Sequence, residues 1–148
     1  MKILIINGPN LNLLGKRDQS LYGSVTLKDI ENIVTGRAKD LRADVGFFQS
    51  NTEGLIVDFI QSESPNADGV VINPGALTHY GLALREALVD SGLPTLEVHL
   101  TNIYARESWR HKSVIAPIAQ GQISGLGWRG YVAALEFLIS IINEGAVK

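Results

Sequence analysis

Short segments rich in β-branched and other apolar residues recur along the chain, and segments with helical periodicity lie between them. The predicted strands are residues 2–6, 45–49, 69–72 and 95–99, with a short fifth strand at 123–124. Continuous apolar strands of this kind are typical of sheets that are covered on both faces. The pattern therefore favours parallel strands that are joined by right-handed crossovers.

Apolar residues at helical spacing predict four helices, within residues 27–41, 55–60, 78–89 and 131–142. Thr26 and Asp29 have the spacing of a capping box at the first of these helices, and residues 50–52 are candidate caps for the second. Strands that alternate with helices indicate successive βαβ units. We therefore predict a flavodoxin-like α/β fold, in which a doubly wound, parallel five-stranded sheet forms the middle of a three-layer sandwich.

Length and composition limit the class of protein. The 148 residues suit one domain spanning 1–148. Thirteen Lys and Arg against 15 Asp and Glu leave a net charge of −2, without the basic excess that binds nucleic acid. The lack of cysteine excludes disulfides, thiolate metal sites and a cysteine nucleophile. No apolar stretch approaches the roughly 20 residues that cross a bilayer. We expect a cytoplasmic protein with no membrane or nucleic-acid partner.

Three motif-like patterns do not have the context that their function requires. Residues 125–130 read GLGWRG, but no later strand with an acidic residue follows at the spacing of a dinucleotide-binding fingerprint. Residues 8–17 have the wrong glycine spacing for a phosphate-binding P-loop. The histidines are His79, His99 and His111, and no two of them form an i,i+4 pair. The sequence therefore predicts no metal site.

Polar residues follow the carboxyl ends of the predicted strands, where doubly wound sheets bind ligands. They are residue 7 with the loop that follows it, and residues 50–51, 73–76 and 97–102. His99 ends a predicted strand and His79 opens a predicted helix, so we expect both in a polar small-molecule site. His111 is expected at the surface.

The loop of residues 17–23 contains Arg17 and, five positions later, Tyr22. A guanidinium group near a phenol stabilises the phenolate, which can act as a general base. The alternative is a mobile surface loop whose tyrosine packs against the body of the protein. Arg106 and Arg110, in a second polar segment, could add positive charge to the same site.

Several long motifs, in order along the chain, resemble those of the type II 3-dehydroquinate dehydratases. They are residues 7–17 (NGPNLNLLGKR), 21–23 (LYG), 48–54 (FQSNTEG), 73–79 (NPGALTH) and 97–102 (EVHLTN). The resemblance continues through residues 105–107, 110–111 and 125–127, so it covers nearly the whole chain.

The resemblance implies a flavodoxin-like subunit of a dodecamer built from four trimers, and no cofactor or metal. The implied reaction is the reversible loss of water from 3-dehydroquinate to give 3-dehydroshikimate. Tyr22 would be the base that removes a C2 proton, and Arg17 would keep that base ionised. His99 would protonate the departing C1 hydroxyl. Asn10 would position a water molecule against the enolate oxygen.

The resemblance also implies the residues that bind the substrate. Asn73, His79 and Arg110 would hold the ring hydroxyls. The backbone amides of Leu100 and Thr101 would hold the carboxylate.

Four further residues complete the expected site. Gly75, Ala76 and Arg106 are assigned to the same substrate pocket. Glu86 stands where the family usually has an aspartate that reaches into a neighbouring subunit's site, so the substrate pocket is expected to be shared between subunits.

Other roles for this fold are weighed against the same residues. A phospho-acceptor receiver needs an acidic cluster after the first strand, where this chain has Asn7 and Asn10. A flavin electron carrier needs a Ser/Thr-Gly phosphate loop at that place. A non-catalytic flavodoxin-like module stays open as an alternative. For the enzyme, the sequence leaves open whether the reaction serves aromatic amino acid biosynthesis through shikimate or the breakdown of quinate.

Overall fold

The computed structural model describes residues 1–145 and contains one sheet of five parallel strands. The strands are β1 (Lys2–Asn7), β2 (Asp44–Gln49), β3 (Gly69–Asn73), β4 (Thr95–His99) and β5 (Gly121–Ser124). Their order is β2-β1-β3-β4-β5, so the winding direction reverses between β1 and β3. The predicted doubly wound parallel sheet is confirmed, although most of the strands extend one or two residues beyond the predicted bounds.

The α-helices are α1 (Gln19–Tyr22), α2 (Leu27–Asp40), α3 (Glu53–Glu63), α4 (Leu82–Ser91) and α5 (Arg129–Asn143). Thr26 and Asp29 form the predicted capping box at the start of α2. Thr52 is the N-cap residue of α3, and its side chain makes no capping bond. Ser50 accepts a hydrogen bond from the Thr52 backbone amide, and Asn51 accepts one from the Asn10 backbone. Within residues 1–145, no helix has both the length and the apolar composition needed to cross a bilayer.

The predicted helix at residues 78–89 begins later than expected. Gly75–His79 forms a 3-10 turn, and α4 starts only at Leu82. The hydroxyl of Thr78 bonds the buried carboxylate of Glu97 and does not cap a helix. His79 therefore ends a turn that faces the site, and it does not open a helix.

The helices cover both faces of the sheet, as the three-layer prediction requires. Ile3 and Ile5 of β1 are buried in the core cluster that α2 and α5 cover. Leu4 and Ile6, the alternate residues of the same strand, are buried in the cluster that α3 and α4 cover. Successive strand residues point to opposite faces, so a strand buried on both faces must be apolar at every position.

Candidate active site

A cavity of about 200 Å³ opens at the carboxyl ends of β1, β3 and β4, next to the point where the strand order reverses. Its wall includes every predicted site residue except Glu86. Those residues are Asn10, Arg17, Tyr22, Asn73, Gly75, Ala76, His79, His99, Leu100, Thr101, Arg106 and Arg110. A second cavity of about 590 Å³ shares four residues with this wall but is lined by no histidine; they are Tyr22, Leu100, Thr101 and Arg106. The smaller cavity therefore contains the chemistry-bearing side chains.

Tyr22 is held by two guanidinium groups. Arg17 donates from Nη2 to the Tyr22 hydroxyl oxygen at 3.1 Å, and its guanidinium carbon lies 4.1 Å from the centre of the tyrosine ring. Arg106 donates from Nη1 to the same oxygen at 3.1 Å and also to Thr101 Oγ1 at 3.2 Å. Two cationic donors therefore meet at one phenol oxygen. The predicted pairing of Arg17 with Tyr22 is present, and Arg106 adds a second donor.

The segment that carries Arg17 and Tyr22 is ordered by its own backbone. The sequence suggested a loop at residues 17–23, but the structure contains the single-turn helix α1 there. Asp18 begins this turn and accepts a hydrogen bond from the Ser20 backbone amide. Gly15 and Gly23, with φ values of +91° and +73°, reverse the chain on either side. The turn places Tyr22 over the cavity.

Asn10 has a left-handed backbone with φ of 70°, which is uncommon for a residue other than glycine. Its backbone amide donates to Asn51 Oδ1 at 2.9 Å, and Gln49 Nε2 donates to the same oxygen at 3.2 Å. The end of β2 therefore holds Asn10 in this conformation at the cavity wall. Such backbone strain is commonly found at functional sites.

His99 ends β4 beside a buried acid. Its Nε2 lies 2.6 Å from Oε1 of Glu97, which is fully buried. Thr78 donates to Oε1 of Glu97, and Ser113 lies 2.9 Å from Oε2. Burial has the largest effect on Glu97 and raises its pKa, but the hydrogen bond and charge of His99, with the bonds from Thr78 and Ser113, outweigh it and leave the pKa below its ordinary value. Glu97 is therefore an anion that orients the His99 imidazole.

Two further polar side chains of the wall have defined partners. His79 Nδ1 lies 2.7 Å from the Lys112 backbone carbonyl, which can only accept, so Nδ1 carries a proton. Trp109 packs edge-on against His79, with ring centres 5.2 Å apart. The Arg110 guanidinium stacks on Trp109 and pairs with Glu107.

Glu86 is the predicted site residue that this chain does not bring to its own cavity. It lies on α4 with its side chain 66% exposed, and it accepts a hydrogen bond from Arg85 at 2.8 Å. A role for Glu86 in the cavity of another subunit stays a prediction.

Several residues around the site were given no role there by the sequence analysis, although Glu97 and Thr78 lie in segments that it singled out. They are Glu97, Thr78, Ser113, Trp109 and Tyr131. A sequence signal existed for Glu97, because a charged residue within a short buried strand is tolerated only when it is paired. Tyr131 carries no such signal, since a tyrosine on the apolar face of a helix also suits the core. Within residues 1–145, no group of three or more His, Cys, Asp or Glu side chains is placed to hold a metal ion.

Comparison with known proteins agrees with the motifs. The family model described as Dehydroquinase class II matches residues 1–139. A 3-dehydroquinate dehydratase from Roseiflexus castenholzii is 57% identical, over 98% of this chain and 92% of that protein. One from Herpetosiphon aurantiacus is 52% identical, over 94% of this chain and 96% of that protein.

A similar architecture has been solved. The crystal structure of a type II dehydroquinase from Butyrivibrio crossotus has a TM-score of 0.91 against this chain. It is 46% identical, and the match covers 93% of this chain and 97% of that one. Motifs, fold and relatives lead to one assignment: the chain belongs to the class II dehydroquinase family.

Proposed function

We propose that this chain is a hydro-lyase that removes water reversibly from 3-dehydroquinate through an enolate and releases 3-dehydroshikimate. The observation that carries the proposal is the position of Tyr22, whose hydroxyl accepts from both Arg17 and Arg106 on the wall of the cavity that also contains His99. Loss of a proton next to a ketone requires a base, a stabilised enolate and an acid for the leaving group. This wall offers a candidate for each task.

The first step assigned to the site is proton removal. The Tyr22 phenolate takes a proton from C2, and the electron pair of the broken C–H bond forms the enolate with the C3 ketone. Arg17 and Arg106 hold the phenolate before the proton moves. A water molecule positioned by Asn10 donates a hydrogen bond to the enolate oxygen and stabilises its charge.

The second step is loss of the C1 hydroxyl. As the enolate collapses, its electrons form the C1–C2 double bond and the C1–O bond breaks. His99 gives a proton to the departing oxygen, so water leaves. Because Nε2 of His99 is bonded to Glu97, the proton is delivered from Nδ1. Transfer of a proton from Tyr22 back to His99 through solvent restores both groups. No cofactor or metal takes part in these steps.

Substrate binding is assigned to the rest of the wall. Asn73, His79 and Arg110 hold the ring hydroxyls that do not react. The backbone amides of Leu100 and Thr101 follow β4 directly and hold the carboxylate.

Gly75, Ala76 and Arg106 shape the same pocket. The segment 17–23 covers the cavity and excludes water from the base. This arrangement keeps the ring between the proposed base and the proposed acid.

The active assembly is proposed to be a dodecamer of four trimers. Leu82, Glu86 and Val89 share one side of α4 at i, i+4 and i+7, and the two apolar side chains are 62% and 47% exposed. An apolar face around a single acidic residue suits contact with a second copy of the chain. In such a contact Glu86 reaches the neighbouring cavity.

We also propose a biological setting for the reaction. Residues 1–148 form one catalytic domain that acts in the cytoplasm, in the shikimate route to aromatic amino acids. The same step occurs in quinate breakdown, which is the alternative setting. Loss of the gene would cause a requirement for aromatic amino acids in the first case and a failure to grow on quinate in the second.

The proposal is tested by following the ultraviolet absorbance of the conjugated enone after addition of 3-dehydroquinate. We expect turnover by the unaltered chain and a fall in kcat of about 100-fold or more in Tyr22→Phe. Tyr104→Phe, which removes an exposed hydroxyl outside the cavity, is the matched control and should retain activity. Near-normal turnover in Tyr22→Phe with an unchanged circular dichroism spectrum would refute the assignment of the base.

A further inference from the structure

A buried chain of hydrogen bonds lies behind the cavity and joins three elements of the fold. Tyr131, near the start of α5, donates from its hydroxyl to Asn7 Oδ1 at 2.6 Å. Asn73 donates from Nδ2 to the Tyr131 oxygen at 2.9 Å. Asn7 and Asn73 are register partners at the ends of β1 and β3, where the strand order reverses. Tyr131 therefore bridges the two strand ends that form the floor of the crevice.

The three residues joined by these hydrogen bonds differ in their access to the cavity. Tyr131 is fully buried, and Asn7 is 1% exposed. Asn73 is also buried, at 3%, but it lines the cavity, whereas Tyr131 and Asn7 do not. Asn73 is therefore the one residue of the three that both bonds the Tyr131 hydroxyl and faces a ligand in the cavity.

One backbone group determines which atom donates and which accepts in each of these hydrogen bonds. A carboxamide can turn by 180° and exchange its donor and acceptor, and a hydroxyl can donate or accept. The Gly75 backbone amide can only donate, and it lies 3.2 Å from Asn73 Oδ1. With that oxygen facing Gly75, Asn73 Nδ2 must donate to Tyr131, and the Tyr131 proton must go to Asn7.

The Tyr131 hydroxyl must keep its proton in order to donate to Asn7. Burial, the largest effect, raises the pKa of this hydroxyl above its ordinary value, although the bond from Asn73 lowers it in part. The hydroxyl is therefore neutral at pH 7, and it can donate and accept at the same time.

We infer that Tyr131 is a positioning residue that fixes the Asn73 carboxamide, so that its second Nδ2 hydrogen is presented to a ring hydroxyl of the substrate. This inference rests on the proposed role of Asn73 in substrate binding. The hydroxyl that Asn73 holds does not react, so its contact contributes equally to binding of the substrate and of the transition state. Loss of such a contact raises KM and leaves kcat nearly unchanged.

The test is steady-state kinetics of Tyr131→Phe with 3-dehydroquinate. The variant keeps the ring that packs in the core and removes only the hydroxyl. Without that acceptor, the Asn73 carboxamide is held by the Gly75 amide alone, so its orientation is restrained by one bond and not by two. We expect KM to rise about tenfold while kcat stays within about threefold of the wild type.

Thr95→Val is the matched control for loss of a buried hydroxyl bond. Thr95 is 2% exposed, and its hydroxyl donates to the Leu93 carbonyl at the opposite end of the sheet from the cavity. We expect both variants to lower the melting temperature and only Tyr131→Phe to raise KM. If Tyr131→Phe lowers the melting temperature but leaves KM normal, the hydroxyl is merely structural and the inference is wrong.

A double-mutant cycle separates this inference from the proposed function. Asn73→Ala should raise KM by itself, and adding Tyr131→Phe should raise it no further, because the two effects act through one carboxamide. A normal KM in Asn73→Ala refutes the substrate contact. Additive effects refute only the route from Tyr131 through Asn73.

A second variant keeps the test decisive if Tyr131→Phe does not fold. Asn7→Ala removes the acceptor of the Tyr131 proton, so the hydroxyl can donate to Asn73 when that carboxamide turns its Oδ1 away from Gly75. We expect about a threefold rise in KM with kcat maintained. An unchanged KM in a folded Asn7→Ala protein would contradict the inference.

Discussion

Arg106 donates a hydrogen bond from Nη1 to the Tyr22 hydroxyl oxygen at 3.1 Å, although 84 positions separate the two residues in the sequence. The contact ties the segment that carries Tyr22 to the polar segment that follows β4. With the bond from Arg17, it places two guanidinium groups at one phenol oxygen. We therefore treat the three side chains as one unit, in which the loss of either arginine removes a donor from the proposed base.

The first prediction concerns these arginines. Arg17→Ala and Arg106→Ala should each lower kcat by about 100-fold, because each removes a charged donor from a preorganised site. Arg37→Ala is the control, since Arg37 pairs with Glu136 and Asp40 between α2 and α5 and does not line the cavity. The value of kcat is measured from initial rates of the increase in ultraviolet absorbance. Wild-type kcat in Arg106→Ala would show that Arg17 alone supports the base.

The second prediction concerns Glu97 and pH. The pKa of Glu97 is lower in the folded protein than its ordinary value, which is 4.5. A lowered folded-state pKa adds stability that is fully present above the unfolded value and is lost as pH falls through the folded one. Glu97→Gln removes that contribution. The melting temperature of the wild type should exceed that of Glu97→Gln most at pH 7, and the difference should shrink below about pH 4.5.

The same variant has a kinetic consequence. An uncharged glutamine no longer stabilises a positive charge on His99, so we expect kcat at pH 7 to fall by at least about tenfold. Thr95→Val, a buried polar change in the same strand, serves as the comparison. A difference in melting temperature that is independent of pH would show that Glu97 is not the titrating group.

The third prediction concerns the assembly. Light scattering should find a large oligomer, and Glu86→Ala should raise KM without changing the mass, because Glu86 is proposed to reach a neighbouring cavity. Asp40→Ala, at an exposed carboxylate that ends α2, should leave KM unchanged. A monomer with full activity would rule out a shared site.

The fourth prediction separates the enolate mechanism from a Schiff-base mechanism, in which a lysine amine condenses with the ketone. Lys16 and Lys112 are the lysines that lie closest in the sequence to proposed site residues, and neither lines the cavity. Lys2, Lys28 and Lys39 lie elsewhere among the described residues, and Lys148 lies outside them. Borohydride added with substrate should therefore leave the enzyme active and its mass unchanged. A reduced substrate adduct on any lysine would overturn the mechanism and leave the overall reaction in place.

Much of the architecture follows from local sequence patterns. Residues 3–6 are apolar at every position because this part of β1 is buried on both faces. The Thr26 and Asp29 spacing marks the start of α2 because the capping bonds are local. The bounds of the helix predicted at 78–89 were wrong for the opposite reason. Thr78 has a partner, Glu97, that lies in another strand and cannot be found from local spacing.

The residues of the cavity were found because carboxyl-terminal strand ends meet at one edge of a parallel sheet. The sequence alone determined that Asn10, Asn73 and His99 would lie at that edge, and the motifs around them predicted the family. Only the tertiary structure decided which side chains hydrogen-bond to the site residues. Glu97 is bonded to His99, Arg106 to Tyr22 and Tyr131 to Asn73. Hydrogen-bond partners that are distant in the chain depend on three-dimensional packing, and the identity of a residue at a buried position does not reveal which of its atoms has a partner.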